Sequence, residues 1–132
     1  MANLIYPIAK QGFLGADIDA EADIRAILVD LADYTYSAAH DNLDDVAAAS
    51  RVAVSGALGS ITITNGTLDT ADFSFTSVSG DVSEAIILYR HTGTESTSRL
   101  IAFYDTGVGG LPITPNGQNI AVTVNASGWL SL

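Results

Sequence analysis

The sequence predicts a mainly β domain, an antiparallel sandwich or barrel with one or two short helices in its N-terminal third. Three observations carry this. Short runs rich in Val, Ile, Leu, Tyr and Phe recur along the chain with turn residues between them. Two of these runs, "SITIT" and "NIAVTVN", alternate apolar with polar residues at the two-residue period of a half-buried strand. Asn65-Gly66 after the first of them is a strong two-residue hairpin signal, because both residue types tolerate positive φ.

Taken in order, "NLIYPIAKQGFLGA" (3–16) is apolar and punctuated by Gly; it reads as an N-terminal arm or as a short helix from Pro7 to Leu14, since Pro suits a first helical turn. An acidic loop follows. "DIRAILVDL" (23–31) is rich in Ile, Leu and Val and reads as a buried strand. A short helix is expected within 40–46, capped by His40 or Asp41, with Leu43 and Val46 turned inward. "RVAVSG" (51–56) is a short strand. In "TLDTADFSFTSVSG", Phe73, Phe75 and Val78 are expected near one face. "EAIILYRH" (84–91) and "SRLIAFYD" (98–105) are the clearest strands; the polar loop "TGTEST" between them suits an antiparallel pair. A Gly- and Pro-containing loop (107–118) leads to the strand "NIAVTVN" (119–125). The chain closes on the apolar segment 126–132, which either completes the domain's own sheet or adds to a neighbour's. No repeat period and no linker is visible, so residues 1–132 are expected to form a single domain.

Composition narrows the function. Hydrophobic residues make up 48% of the chain and charged ones only 15%, well below the quarter or so that usually keeps a surface apart from its neighbours. Either the many Ala, Gly, Ser and Thr residues dilute the count or part of the surface is covered by other subunits, and the second is the expectation. The net charge is −10. Nine acids and two bases in residues 1–45, hence −7, concentrate it in the first third. Such a chain lacks the Lys/Arg footprint for nucleic acid, and an anionic membrane surface is disfavoured for the same reason. There is no cysteine, so disulfides, thiolate metal sites and thiol nucleophiles are excluded. No secretion leader and no membrane-spanning run is expected.

Catalytic motifs are not in evidence. The Ser residues lack a G-x-S-x-G elbow, and His91 is expected to face a loop. "TGVGG" has neither the spacing nor the Lys of a phosphate loop. The densest cluster of chemistry is "YTYSAAHDNLDD" (34–45). His40, Asp41, Asp44 and Asp45 offer nitrogen and carboxylate ligands there as a cation candidate, with Asp30 or Asp33 as further members, and His40 and Asp44 would share a helical face at i,i+4. Neither an EF-type Ca²⁺ loop nor a zinc motif fits, and helix capping is the more economical reading. No catalytic residue, metal or cofactor is assigned, and no enzyme is expected. Tyr34, Tyr36, Tyr89 and Tyr104 serve equally as core or interface residues.

Taken together, "ADYTYSAAHDNLDD", "ASRVAVSG", "TNGTLD" and "TGTESTSRLIAFYDTGVGGLPITPNG" resemble small virion structural proteins of tailed bacteriophages, over roughly residues 3–132. That resemblance implies a component of the capsid exterior, assembled in the host bacterial cytoplasm. Its most natural role is a decoration or cement protein, a homotrimer that binds the major capsid protein and clamps neighbouring capsomers. A neck, tail or spike component, including a receptor- or carbohydrate-binding module, is the alternative. The apolar ends supply the expected interface residues: Leu4, Ile5, Tyr6, Trp129, Leu130 and Leu132.

Overall fold

The computed structural model describes residues 3–15, 18, 19, 22–106, 108 and 110–131. The chain is mainly β, with antiparallel sheets and one α-helix near its N-terminus. The largest sheet has five strands: β1 (Leu4–Ile5), β2 (Ile24–Val29), β3 (Arg51–Val54), β7 (Ala85–Arg90) and β8 (Leu100–Tyr104), in the order β1-β8-β7-β2-β3. Two smaller sheets lie beside it. One contains β4 (Thr62–Thr64), β5 (Thr67–Asp69) and β10 (Leu130–Ser131) in the order β10-β5-β4; the other pairs β6 (Phe73–Phe75) with β9 (Ile120–Val122). Helix α1 (Pro7–Leu14) starts on its proline, as expected.

The apolar runs Ala26–Val29 of β2 and Ala85–Tyr89 of β7 follow from burial on both faces of the large sheet. On one face Ile24, Ala26, Leu28, Ile86, Leu88 and Ala102 meet Leu68, Phe75, Val122, Val124, Trp129 and Leu130 of the small sheets. On the other, Ile27, Val29, Ile87, Tyr89 and Phe103 are covered by Tyr6, Tyr34, Leu43 and Val46. Alternation therefore disappears where both faces are dry. β7 and β8 pair antiparallel, with a bulge at Leu88/Tyr89. Their polar loop is held by its own hydroxyls: the Ser98 and Thr97 side chains bond to Thr92 and to the Thr94 carbonyl.

The β4–β5 hairpin turns at Asn65 (φ 51°) and Gly66 (φ 80°), with Thr64 opposite Thr67. Both central residues are left-handed, which is the primed turn that matches strand twist. "SITIT" differs from expectation in one respect. Ile61 packs against the core, but Thr62–Thr64 are all exposed, Ile63 included, because this strand is the free margin of a three-stranded sheet.

The two chain ends are built into the fold. The Asn3 side chain clamps the end of β8: its Oδ1 accepts from the N–H groups of Asp105 (2.9 Å) and Thr106 (3.2 Å), and its Nδ2 donates to the Thr106 carbonyl. β1 then pairs with β8, and Tyr6 donates its N–H to Ile101. At the other end, β10 pairs with β5 of the same chain, Leu130 opposite Leu68 and Ser131 opposite Thr67. Of the two possibilities for the closing segment, the chain's own sheet is the one observed.

Candidate functional site

In the 34–45 segment, the structure replaces the expected helical face with a turn. A single 3₁₀ turn spans Leu43–Asp45, and Asn42 rather than His40 or Asp41 stands at its N-cap. Leu43 and Val46 do turn into the core. The Asp45 carboxylate reaches back to accept the N–H of Asp41 at 2.8 Å and that of Asn42 at 3.5 Å. Those backbone donors, Asp41 first, hold its carboxyl below the usual aspartate range. Because the helix begins only at Leu43, His40 and Asp44 share no helical face.

His40 instead ends a hydrogen-bonded chain that starts in the core. The hydroxyls of Tyr6 and Tyr34 lie 2.6 Å apart, and the Tyr34 hydroxyl is 2.8 Å from His40 Nδ1. Tyr6 is fully buried and Tyr34 nearly so; burial pushes both hydroxyls above their ordinary pKa. Two tyrosines that stay protonated need partners for their O–H groups, and this chain supplies them. Tyr36 and Phe103 stack around it at ring separations of 5.0–5.6 Å.

Carboxylates gather in two places. Asp41, Asp44 and Asp45, all exposed, bring one oxygen each within 4.8 Å of the others, and so do Asp30, Asp33 and Asp81. Of the expected ligands, Asp41, Asp44 and Asp45 are thus brought together, but His40 is not among them: it faces Tyr34, while Asp30 and Asp33 belong to a separate group with Asp81. In each group one member already serves the backbone: Asp45 as described, and Asp30 by accepting the N–H of Ala32. His91 sits at a strand end, as expected, with its N–H on the Asp23 carbonyl and its ring edge-on to Tyr89.

The apolar residues singled out at the termini divide. Tyr6, Trp129 and Leu130 are covered by the chain itself. Trp129 donates its indole N–H to Thr70 Oγ1 at 2.8 Å, accepts the Tyr104 hydroxyl on its carbonyl, and stacks near Tyr104 and Phe73. These three cannot offer a surface without unfolding the margin they close. Leu4 and Ile5 are half-buried at the sheet edge; Leu132 lies outside the described residues. Tyr34, Tyr89 and Tyr104 are likewise buried, and only Tyr36 is half-exposed.

What remains on the surface is concentrated along the open strands. β1 and β10 flank grooves of about 240 and 320 Å³, lined by Asn3, Tyr104, Trp129, Leu130 and Ser131 among others. A further groove of about 410 Å³ lies between Ile5, Lys10, Leu14 and Ser131. Leu14 is 89% exposed. Val54 on β3, at the opposite margin, and Val82, in the segment before β7, are about half-exposed. Sequence reasoning placed the sticky surface at the chain ends. It missed Leu14, Val54 and Val82, which have no distinguishing mark in the sequence; Leu14 ends helix α1, Val54 lies on the edge strand β3 and Val82 precedes β7.

The class this defines is a small antiparallel β protein with open sheet margins. No protein-family model and no curated protein matches the chain. Among the described residues no helix is long and apolar enough to cross a membrane.

Proposed function

We propose that the protein is a structural component of a tailed-phage virion, a decoration or cement protein that binds the major capsid protein on the outside of the shell and associates with copies of itself, as a homotrimer. The virion setting rests on the sequence resemblance. The observation that carries a packing role is the set of large apolar side chains exposed on α1, on the edge strand β3 and just before β7 in a chain with 15% charged residues. An isolated protein gains nothing by exposing Leu14, Val54 and Val82 there, whereas subunit contacts remove them from water at about 25 cal/mol per Å². The net charge of −10 supports a place away from the packaged DNA.

The mechanism is linkage. A subunit that binds only the assembled shell stabilises it by RT ln(1 + [L]/Kd) per site, and repetition over many sites turns a modest affinity into resistance to bursting. The test is reconstitution. Purified protein is added to shells lacking it; occupancy is measured by quantitative mass spectrometry and shell bursting by a thermal scan. Saturable binding at hundreds of copies, with a raised bursting temperature, is expected. Binding at a few copies would favour a neck or spike component, and no binding would refute the proposal.

A further inference from the structure

We infer that Asn65, of the two Asn-Gly pairs in the chain, is a site of spontaneous deamidation in the folded protein, its side-chain amide giving way to an aspartyl or isoaspartyl carboxylate, while the fold protects Asn116. This chemistry belongs to the folded chain alone and does not depend on the virion reading.

The reaction needs only water. The main-chain nitrogen of the residue after asparagine gives up its proton and attacks the side-chain carbon Cγ. An N–Cγ bond forms, the Cγ–Nδ2 bond breaks, and Nδ2 takes up a proton and leaves as ammonia. Water then opens the resulting succinimide ring at one of its two C–N bonds. Opening at Cγ gives aspartate. Opening at the main-chain carbonyl gives isoaspartate, with the chain routed through the side chain. Glycine in the second position has no Cβ to obstruct the attacking nitrogen.

Both pairs are exposed, so exposure does not separate them. Hydrogen bonding does. Gly117 donates its N–H to the Val78 carbonyl at 2.6 Å, and Val78 donates its own to the Gln118 carbonyl at 3.0 Å. Val78 is buried, so this bridge is anchored in the core. Asn116 Oδ1 accepts the N–H of Gln118 at 3.1 Å, and Asn119 Oδ1 accepts that of Ser77 at 2.8 Å. The Gly117 nitrogen is not free to attack until contacts between two distant segments part.

Gly66 has no such tie. Among the described residues its N–H meets no acceptor, and the Asn65 side chain makes no hydrogen bond. The turn must open for the nitrogen to reach Cγ, and opening it undoes little. It lies at the tip of β4, the margin strand of its sheet, whose residues Thr62–Thr64 are all exposed. Local openings of this kind cost far less than unfolding the domain.

The two products differ in consequence. Aspartate at position 65 keeps the hairpin, because Asp-Gly also accepts the primed turn, and adds one negative charge. Isoaspartate adds a carbon to the main chain of a two-residue loop whose flanks, Thr64 and Thr67, are paired directly. That form should loosen β4 from β5.

The experiment is peptide mapping by mass spectrometry of the full chain, held in warm, mildly alkaline buffer and sampled over time, beside the same chain in urea. An isoaspartate-specific methyltransferase distinguishes the two products. In urea both asparagines are expected to convert at similar rates, since glycine follows each. In the folded protein Asn65 is expected to convert at least about tenfold faster than Asn116. Gly66→Ala, which crowds the nitrogen, should slow conversion at Asn65 and leave Asn116 as it was; circular dichroism checks its fold. The isoaspartyl form should show a lower Tm than Asn65→Asp. A folded protein in which the two sites convert equally, or Asn116 faster, would overturn the inference. So would an Asn65 that stays intact while the unfolded chain converts, or a Gly66→Ala variant that reacts as fast as wild type.

Discussion

Replacing Trp129 with alanine removes the largest side chain of the C-terminal strand, and the structure says what that should cost. The residue is 6% exposed. Burying an indole takes roughly 200 Å² out of water, worth about 5 kcal/mol as an upper bound at about 25 cal/mol per Å². Trp→Ala substitutions in cores cost about 3–5 kcal/mol once partial collapse of the cavity is counted. The indole N–H bond to Thr70 adds about 1 kcal/mol to the loss, offset by water reaching the vacated hydroxyl. We therefore expect Trp129→Ala to destabilise by about 4 kcal/mol, and Trp129→Phe, which keeps the contacts with Phe73 and Tyr104, by about 1–2 kcal/mol. The assay is urea denaturation followed by circular dichroism. With a slope of about 2 kcal/mol per M, the alanine variant loses about 2 M in midpoint. Sedimentation under native conditions supplies the control. If Trp129→Ala changes stability by less than about 1 kcal/mol but abolishes self-association, the residue belongs to an interface and the argument for its place in the core fails.

Three further outcomes are expected. Gly128 (φ 84°) passes so close to β5 that a Cβ would meet the Leu68 carbonyl at 2.7 Å, so Gly128→Ala should cost about 3 kcal/mol, against about 1 kcal/mol for Gly66→Ala in the open hairpin; equal shifts in Tm would contradict this. Burial raises the hydroxyl pKa of Tyr6, Tyr34, Tyr89 and Tyr104, while the unfolded chain ionises near pH 10, so their contribution is intact below about pH 10 and is lost as pH rises beyond it. Urea midpoints measured from pH 8 to 11.5 should fall at the alkaline end, less steeply in Tyr34→Phe, and a flat profile would be the contrary result. Asp45 shifts the other way: its lowered pKa supports the fold above the unfolded value near 4, and that support disappears as pH falls through the folded value. The stability difference between wild type and Asp45→Asn should accordingly shrink between pH 6 and pH 3, and a constant difference would count against the capping role.

Several elements were legible because their causes are local. Pro7 starts α1 where its ring suits the first turn. Asn65-Gly66 makes the hairpin because those two residues accept positive φ. The apolar runs of β2, β7 and β8 announce strands dry on both faces. The 34–45 segment was legible in kind, as a capped turn with Leu43 and Val46 turned inward, but not in its partners. His40 is satisfied by Tyr34, which is in turn satisfied by Tyr6 from 28 positions away, and no local pattern encodes that distance.

The sequence by itself determined the class of fold, the absence of thiol chemistry and the acidic, sparsely charged character of the chain, since these follow from residue types and near neighbours. Tertiary structure decided which apolar residues are available. Trp129 and Leu130 look in sequence like any exposed hydrophobe at a chain end; what buries Trp129 is Thr70, 59 positions away, and Tyr104 of β8. Leu14 is left in water because α1 turns that face away from β8, and Val54 because β3 is the last strand of its sheet. Burial is a property of what arrives from elsewhere in the chain, and long-range strand pairing alone settles that.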